Sequence, residues 1–131
     1  MHKKNNFNIA IVGLGNIGSS LYKHLVKNKK SIKDKTNINL NIKYVSAKNK
    51  SKKRSVLIPK NKWLKNYISA SNHPDIDIVV ELIGGSEGPA KKLVFNSIKN
   101  KKHVVTANKA LIAKYGDKLS NLAEKNKVNL E

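Results

Sequence analysis

A glycine-rich turn between a short apolar run and a helical pattern constrains this chain most. The run 7–12 ends directly on Gly13-Leu14-Gly15-Asn16-Ile17-Gly18, which has the spacing G-x-G-x-x-G. Apolar residues then recur at helical intervals, at Ile17, Leu21, Tyr22 and Leu25. A strand before this spacing and a helix after it are the context in which it indicates dinucleotide binding.

Each glycine of the turn has a physical role in such a site. Gly13 lets the chain turn sharply, Gly15 lets a pyrophosphate approach the backbone, and Gly18 lets the helix pack closely on the strand. The helix N-terminus adds unpaired N–H groups and the positive end of its dipole. The alternative is a loop whose glycines only allow a close contact between helix and strand.

Strand and helix patterns alternate along the rest of the chain. Strands are expected at 7–12, 40–45, 56–58, 76–83, 103–107 and 128–130. Helices are expected at 16–27, 63–68, 89–100, 108–113 and 117–125, with 31–36 open between a loop and a helix extension. This order predicts an α/β fold with a doubly wound, mostly parallel sheet of the Rossmann type. We expect residues 1–131 to form a single domain, because the length suits one.

The predicted topology brings three loops to one crevice. In a doubly wound sheet the first strand lies beside the fourth, and ligands bind where the strand order reverses. The loops Gly13–Gly18, Ile83–Ser86 and Thr106–Lys109 each follow the carboxyl end of a predicted strand. We therefore expect these loops to converge.

The segment after the second predicted strand bears on the choice of cofactor. NAD sites usually have a carboxylate there for the ribose 2′-OH. Residues 46–54 contain no carboxylate and five cations, namely Lys48, Lys50, Lys52, Lys53 and Arg54. A 2′-phosphate would be attracted to them, so NADP is favoured, with NAD possible. The alternative is a solvated basic loop in a basic protein.

Composition excludes several classes of function. The chain has a net charge of +19 but one arginine, and its lysines are scattered without interleaved aromatic residues, so no specific nucleic-acid partner is expected. There is no cysteine, and the four histidines have no ligand spacing, so no metal site is expected. No apolar run approaches the roughly 20 residues that span a bilayer. We expect a cytoplasmic protein without a membrane partner.

Two further motifs identify a family resemblance. Val79-Val80-Glu81-Leu82-Ile83-Gly84-Gly85 and His103-Val104-Val105-Thr106-Ala107-Asn108-Lys109-Ala110-Leu111-Ile112-Ala113 resemble homoserine dehydrogenase, and the likeness covers essentially the whole chain. The resemblance implies NAD(P)-dependent interconversion of L-homoserine and L-aspartate 4-semialdehyde, a step of threonine and methionine biosynthesis. It implies that the glycine turn, Ile83, Gly84, Thr106, Asn108 and Lys109 hold the cofactor. It also implies that Lys48 favours the 2′-phosphate, assisted by Lys52 and Arg54.

The candidate side chains each have a structural alternative. The resemblance places Lys109 beside the nicotinamide and substrate, in a supporting role, where its cation would orient a carboxylate or polarise an oxygen; otherwise it is a surface lysine. Thr106 and Asn108 would bond ribose or carboxamide, or else cap the next helix. Glu81 and Glu87 are candidates for acid–base work, and Glu81 is equally well placed as a structural acceptor.

The resemblance also implies parts that are not in this chain. In that family a second half supplies the sodium-binding segment, the substrate pocket, an acidic pair, the acid/base lysine and the homodimer contacts. We therefore expect a cofactor-binding domain that binds NADP(H) weakly and does not oxidise homoserine alone. The competing readings are the first domain of a dihydrodipicolinate-reductase-like enzyme and a non-catalytic nucleotide- or polyanion-binding module.

Overall fold

The fold is a parallel sheet with helices on both faces. The computed structural model describes residues 4–131. Its strands are β1 (Asn6–Val12), β2 (Asn39–Ser46), β3 (Ile78–Glu81) and β4 (His103–Thr106). The strand order is β2-β1-β3-β4, and every neighbouring pair is parallel. The predicted α/β class with a Rossmann-type sheet is confirmed.

The helices cross between these strands. They are α1 (Asn16–Lys27), α2 (Lys29–Thr36), α3 (Pro89–Lys99) and α4 (Lys109–Lys125). Short 3₁₀ turns occupy Lys60–Lys62 and Tyr67–Ser71. None of the helices described in residues 4–131 has the length and apolar character that crossing a membrane requires.

The core follows the alternation of side chains along β1. Ile9 and Ile11 face one cluster, which includes Tyr22 of α1, whereas Ala10 and Val12 face a second, which includes Leu93 of α3. A third cluster joins α3 and α4 to β4. Because β1 is buried on both faces, α1 and α3 lie on opposite sides of the sheet, and the chain reverses its direction of winding between β1 and β3.

Two expectations in the β2–β3 connection are wrong. Residues 56–58 form no strand, and Leu57 is 95% exposed. Residues 63–68 form no continuous helix, because Trp63 pairs with Val45 in an isolated parallel bridge and Leu64 N–H donates to the Val45 carbonyl at 2.9 Å. The backbone around Trp63 is therefore extended and hydrogen-bonded to the edge of β2. Because no strand forms at 56–58, the strand that follows β2 in the chain is β3, which pairs with β1.

The stretch open between loop and helix at 31–36 is helical, and the expectation of two separate helices at 108–113 and 117–125 is wrong. The segment 31–36 belongs to α2, whose C-cap residue, Asn37, lies in the left-handed region with φ 59°. The two helices expected at 108–113 and 117–125 are one helix, α4, which runs through Gly116. Its buried stripe of Leu111, Leu119 and Ala123 is continuous, which outweighs the cost of a glycine inside the helix. The strand expected at 128–130 is not formed, and only an isolated parallel bridge joins Leu130 to Val104.

Asp77 ties the amino ends of β1 and β3 together. Its carboxylate accepts the Asn8 backbone N–H at 2.8 Å and a hydrogen bond from the Lys4 ammonium. Partial burial opposes ionisation of Asp77, but these hydrogen bonds outweigh it and hold its pKa below the usual value. The stability that ionised Asp77 contributes is therefore present above the unfolded pKa of about 3.9 and is lost as pH falls through the lower folded pKa.

We expect Asp77→Asn to destabilise the chain by about 1 kcal/mol at pH 7, because the charged acceptor is removed. The difference from the wild type should shrink as pH falls below about 4. Urea unfolding at pH 7, 5 and 3 measures it, with the exposed Asp117→Asn as a control of equal charge. A difference that is as large at pH 3 as at pH 7 would contradict this account.

Candidate functional site

The carboxyl ends of β1, β3 and β4 lie side by side. Val12 is level with Glu81, and Glu81 is level with Thr106 in the strand register. The loops that follow these residues therefore leave the same edge of the sheet. Ranges 13–18, 83–86 and 106–109 therefore lie together along that edge, as the topology predicted, and we refer to this shared edge as the crevice.

Two glycines of the turn allow close backbone packing. Gly13 has φ +108°, and a Cβ built on it would lie 2.6 Å from the Leu82 carbonyl oxygen. A Cβ on Gly18 would lie 2.0 Å from the Gly13 carbonyl oxygen. Both distances are far below van der Waals contact, so side chains are excluded where the turn meets β3 and where α1 meets the turn.

Gly15 differs from these two glycines because it faces open space. It is exposed, and no atom lies within 4 Å of a Cβ built on it. It is also the N-cap of α1, where no side chain caps the helix. The first-turn N–H groups of α1 therefore have no side-chain acceptor, and Asn16 and Ile17 beside them are exposed. This is the arrangement that accepts a phosphate at a helix N-terminus.

A buried carboxylate shapes the loop after β3. Glu81 is fully buried, and its Oε2 accepts the backbone N–H groups of Ile83 at 2.8 Å and Gly84 at 3.0 Å. Its Oε1 accepts the Thr106 hydroxyl at 2.6 Å. Glu81 thus acts as a structural acceptor between two loops, and both of its oxygens are occupied.

Thr106 and Asn108 continue this network. The Thr106 hydroxyl oxygen accepts the Asn108 backbone N–H at 3.0 Å. The Asn108 side chain accepts the Leu111 N–H at 3.0 Å, as an N-cap of α4, and donates to the Gly85 carbonyl at 2.6 Å. These contacts are those of the capping alternative, so the two side chains position loop backbone at the crevice.

Lys109 is the first residue of α4 and is exposed. A cation at a helix N-terminus opposes the macrodipole, so this position does nothing for helix stability. Lys109 lies three residues after the end of β4 and directly follows Asn108, a member of the network that begins at Glu81. Helix stability thus does not account for a lysine at this position.

The basic segment after β2 contains two kinds of cation. Lys48, Lys50, Lys52 and Lys53 are exposed. Arg54 is half-buried, and its guanidinium donates to backbone carbonyls, among them Leu14 of the glycine turn at 3.1 Å. The segment therefore offers four solvated ammonium groups, while its guanidinium is engaged by the chain itself.

A polar cluster beside the crevice was missed from the sequence. The Tyr115 hydroxyl bonds Glu87 at 2.6 Å, and the ammonium groups of Lys91 and Lys114 each lie 3.3 Å from that carboxylate. The hydrogen bond from Tyr115 lowers the pKa of Glu87, so the carboxylate is ionised at neutral pH and ties the loop after β3 to α4. The i,i+4 spacing of Glu87 and Lys91 was the available signal.

Within residues 4–131, no group of three His, Asp or Glu side chains is arranged to hold a metal ion. His2 lies outside the described residues.

Comparison with known proteins gives consistent matches. Residues 13–131 match the family model described as homoserine dehydrogenase, NAD binding domain. The chain is 36% identical to homoserine dehydrogenase of Bacillus subtilis over 118 residues, which is 90% of this chain and 27% of that protein. It is also 36% identical to the Neisseria gonorrhoeae enzyme over 121 residues, covering 92% of this chain and 27% of that protein.

Solved structures agree with these matches. Homoserine dehydrogenase of Staphylococcus aureus superposes with a TM-score of 0.88 at 38% identity, covering 96% of this chain and 32% of that one. The Thiobacillus denitrificans enzyme gives a TM-score of 0.86 at 35% identity, covering 95% and 28%. The chain thus spans about a quarter to a third of the length of the relatives it matches.

Substitutions at two glycines of the turn distinguish a role in cofactor binding from a role in stability. We expect Gly15→Ala to cost at most about 1 kcal/mol of stability, because its Cβ clashes with no neighbouring group and only the preference of an N-cap for glycine over alanine is lost. The same variant should weaken nicotinamide dinucleotide binding at least tenfold, or about 1.4 kcal/mol, because the methyl group occupies the approach to the backbone. Gly13→Ala should destabilise the fold by at least about 2 kcal/mol through its positive φ and the clash with Leu82. Urea unfolding and titration calorimetry check both, and unchanged binding by Gly15→Ala would contradict the site.

Glu81→Gln tests the buried acceptor. The amide keeps the shape but places a donor against donors, which should cost about 1–3 kcal/mol of stability. The exposed Glu124→Gln is the matched control and should change stability by less than about 0.5 kcal/mol. Urea unfolding measures both variants, and wild-type stability in Glu81→Gln would show that the network does not hold the loops.

Proposed function

Because this chain belongs to the homoserine dehydrogenase NAD-binding domain family, we propose that it is the cofactor domain of an enzyme that interconverts L-homoserine and L-aspartate 4-semialdehyde. The observation that carries the proposal is the open N-terminus of α1 at Gly15, in a crevice shared by three strand-end loops. When bound there, the nicotinamide would supply the hydride acceptor for alcohol oxidation. Because the Bacillus subtilis relative is more than three times as long as this chain, we propose that the activity also requires residues outside it.

The pyrophosphate is proposed to lie on the glycine turn. Gly15 gives it access to the backbone, and the uncapped N–H groups of α1 donate to it. The backbone of the loop after β3, fixed by Glu81, would border the cofactor farther along the crevice. The proposed binding residues are Gly13, Leu14, Gly15, Asn16, Ile17, Gly18, Lys48, Ile83, Gly84, Thr106, Asn108 and Lys109.

NADP is proposed over NAD as the preferred cofactor. Residues 46–54 have no carboxylate to bind a ribose 2′-OH, and Lys48 lies two residues after the end of β2. An ammonium group there would pair with a 2′-phosphate, and hydrogen bonds to charged groups are the stronger kind. NAD would lack this contact and bind more weakly.

Lys109 is proposed to support the reaction from the edge of the crevice. Its exposed ammonium group at the end of β4 would orient a substrate carboxylate or the reacting oxygen. The main acid and base would lie outside this chain, as would the contacts of a homodimer. The whole enzyme is proposed to work in the cytoplasm on small-molecule substrates of threonine and methionine biosynthesis.

Titration calorimetry of the 131-residue chain with NADPH and NADH tests the cofactor assignment. We expect NADPH to bind about tenfold more tightly, a difference of about 1.4 kcal/mol, and binding to survive moderate salt. Lys48→Gln should weaken NADPH several-fold and leave NADH unchanged. Lys99→Gln, which removes an equal charge at the far end of α3, should change neither.

Three results would contradict the proposal. Equal affinities for the two cofactors would remove the preference for NADP. Binding that collapses with salt and ignores the nicotinamide would favour a polyanion-binding module. Oxidation of homoserine by this chain alone would show that its acid and base lie within these residues.

A further inference from the structure

Arg54, the sole arginine of the chain, is turned toward the backbone of two loops. Its Nε donates to the Leu14 carbonyl at 3.1 Å. One terminal nitrogen donates to the carbonyls of Lys50 at 3.0 Å and Lys52 at 2.9 Å, and the other donates to Asn49. The guanidinium therefore bonds four carbonyls, three in the basic segment and one in the glycine turn.

These contacts engage most of the hydrogen-bonding capacity of Arg54. A guanidinium has five N–H donors, so four bonds to carbonyls leave one. Bidentate binding of a phosphate needs two parallel donors. Arg54 therefore cannot clasp a 2′-phosphate in this way without releasing its own loop.

Trp63 covers the same guanidinium. Its ring centroid lies 5.5 Å from the Arg54 guanidinium carbon and 5.6 Å from the Lys50 ammonium. Trp63 is itself held by its bridge to Val45 in β2. The hydrogen bonds to carbonyls and the Trp63 ring together fix the forked guanidinium group of Arg54 relative to both the sheet and the glycine turn.

We propose that Arg54 is a positioning residue for cofactor selectivity, which rests on the proposed preference for NADP. Its fork holds residues 49–53 against the glycine turn, so that the ammonium groups of the segment are gathered where the 2′-phosphate lies. Ordering this loop before binding removes the entropy cost that a mobile loop would incur on binding. A lysine at this position keeps the charge but has no fork to bond four carbonyls.

Arg54→Lys and Arg54→Gln separate the fork from the charge. Calorimetry of the 131-residue chain should show the NADPH-to-NADH affinity ratio falling about fivefold or more in both variants, because both lose the pre-ordered loop. Loss of stability alone lowers both affinities together and leaves this ratio unchanged. A wild-type ratio in Arg54→Lys with a lowered ratio in Arg54→Gln would show that only the charge matters and would overturn the inference.

A second measurement needs no cofactor. Amide hydrogen exchange of peptides covering 48–54 and 13–18 should accelerate in Arg54→Lys, while α4 peptides keep wild-type protection and report an intact fold. Emission from Trp63, the one tryptophan of the chain, should shift to longer wavelength as its cover is lost. Wild-type exchange in both peptides would overturn the inference.

Chemical rescue covers the case in which a substitution disturbs folding. Ethylguanidinium added to Arg54→Ala should restore the NADPH-to-NADH ratio, and ethylammonium at equal concentration should not. Rescue by both cations alike would overturn the inference. Equal affinities of the wild type for NADPH and NADH would instead defeat the proposed cofactor preference, which distinguishes the two failures.

Discussion

The crevice depends on a backbone contact that tolerates no side chain. The turn after β1 presses against the carbonyl of Leu82, and the start of α1 presses against the carbonyl of Gly13. Both contacts require glycine, and together they fix the axis of α1 relative to β3. The third glycine, Gly15, makes no such contact. The space beside it is open, and a phosphate can reach the N–H groups of α1 through that space.

Hydrogen bonds connect the loops after β3 and β4 along the same edge of the sheet. The buried Glu81 binds the backbone of the loop after β3 and the hydroxyl of Thr106, and Asn108 returns a bond to Gly85. Each side chain of this network has its hydrogen-bond partners inside the protein, and a fully satisfied buried network of this kind is rigid. The side chains of this network are therefore engaged, whereas the backbone at Gly15 and the side chain of Lys109 are exposed at the same edge.

Much of this arrangement is predictable from sequence, because it is local. The G-x-G-x-x-G turn and the bounds of α1 follow from spacing alone, whereas the strand expected at 76–83 covers only Ile78–Glu81. Errors fall where tertiary contacts override local preference. Trp63 was expected in a helix, but the free edge of β2 pairs with its backbone, and the glycine at 116 stays helical because α4 has a continuous buried stripe.

The roles of polar residues were harder to predict for the same reason. Thr106, Asn108 and Arg54 all carry groups that could bind a ligand, and sequence alone does not show whether the Glu81 carboxylate or a backbone carbonyl already accepts their hydrogen bonds. The Asn108 cap is local, but its bond to Gly85 spans 23 residues, and the bond of Arg54 to Leu14 spans 40. Such bonds exist only once the sheet has formed.

Charge and hydrogen-bond geometry carry different information in this chain. Because the net charge is +19 and lysines are spread along the whole sequence, the presence of a lysine near the crevice is weak evidence for a binding role. The single guanidinium is informative because its donors are directional and most are accounted for. In the basic segment after β2, the planar guanidinium of Arg54 binds the backbone and holds the loop in place. The lysine ammonium groups, on flexible side chains, supply the positive charge. The proposed selectivity for a 2′-phosphate thus depends on Arg54, which would not reach the phosphate, as well as on the lysines that would bind it.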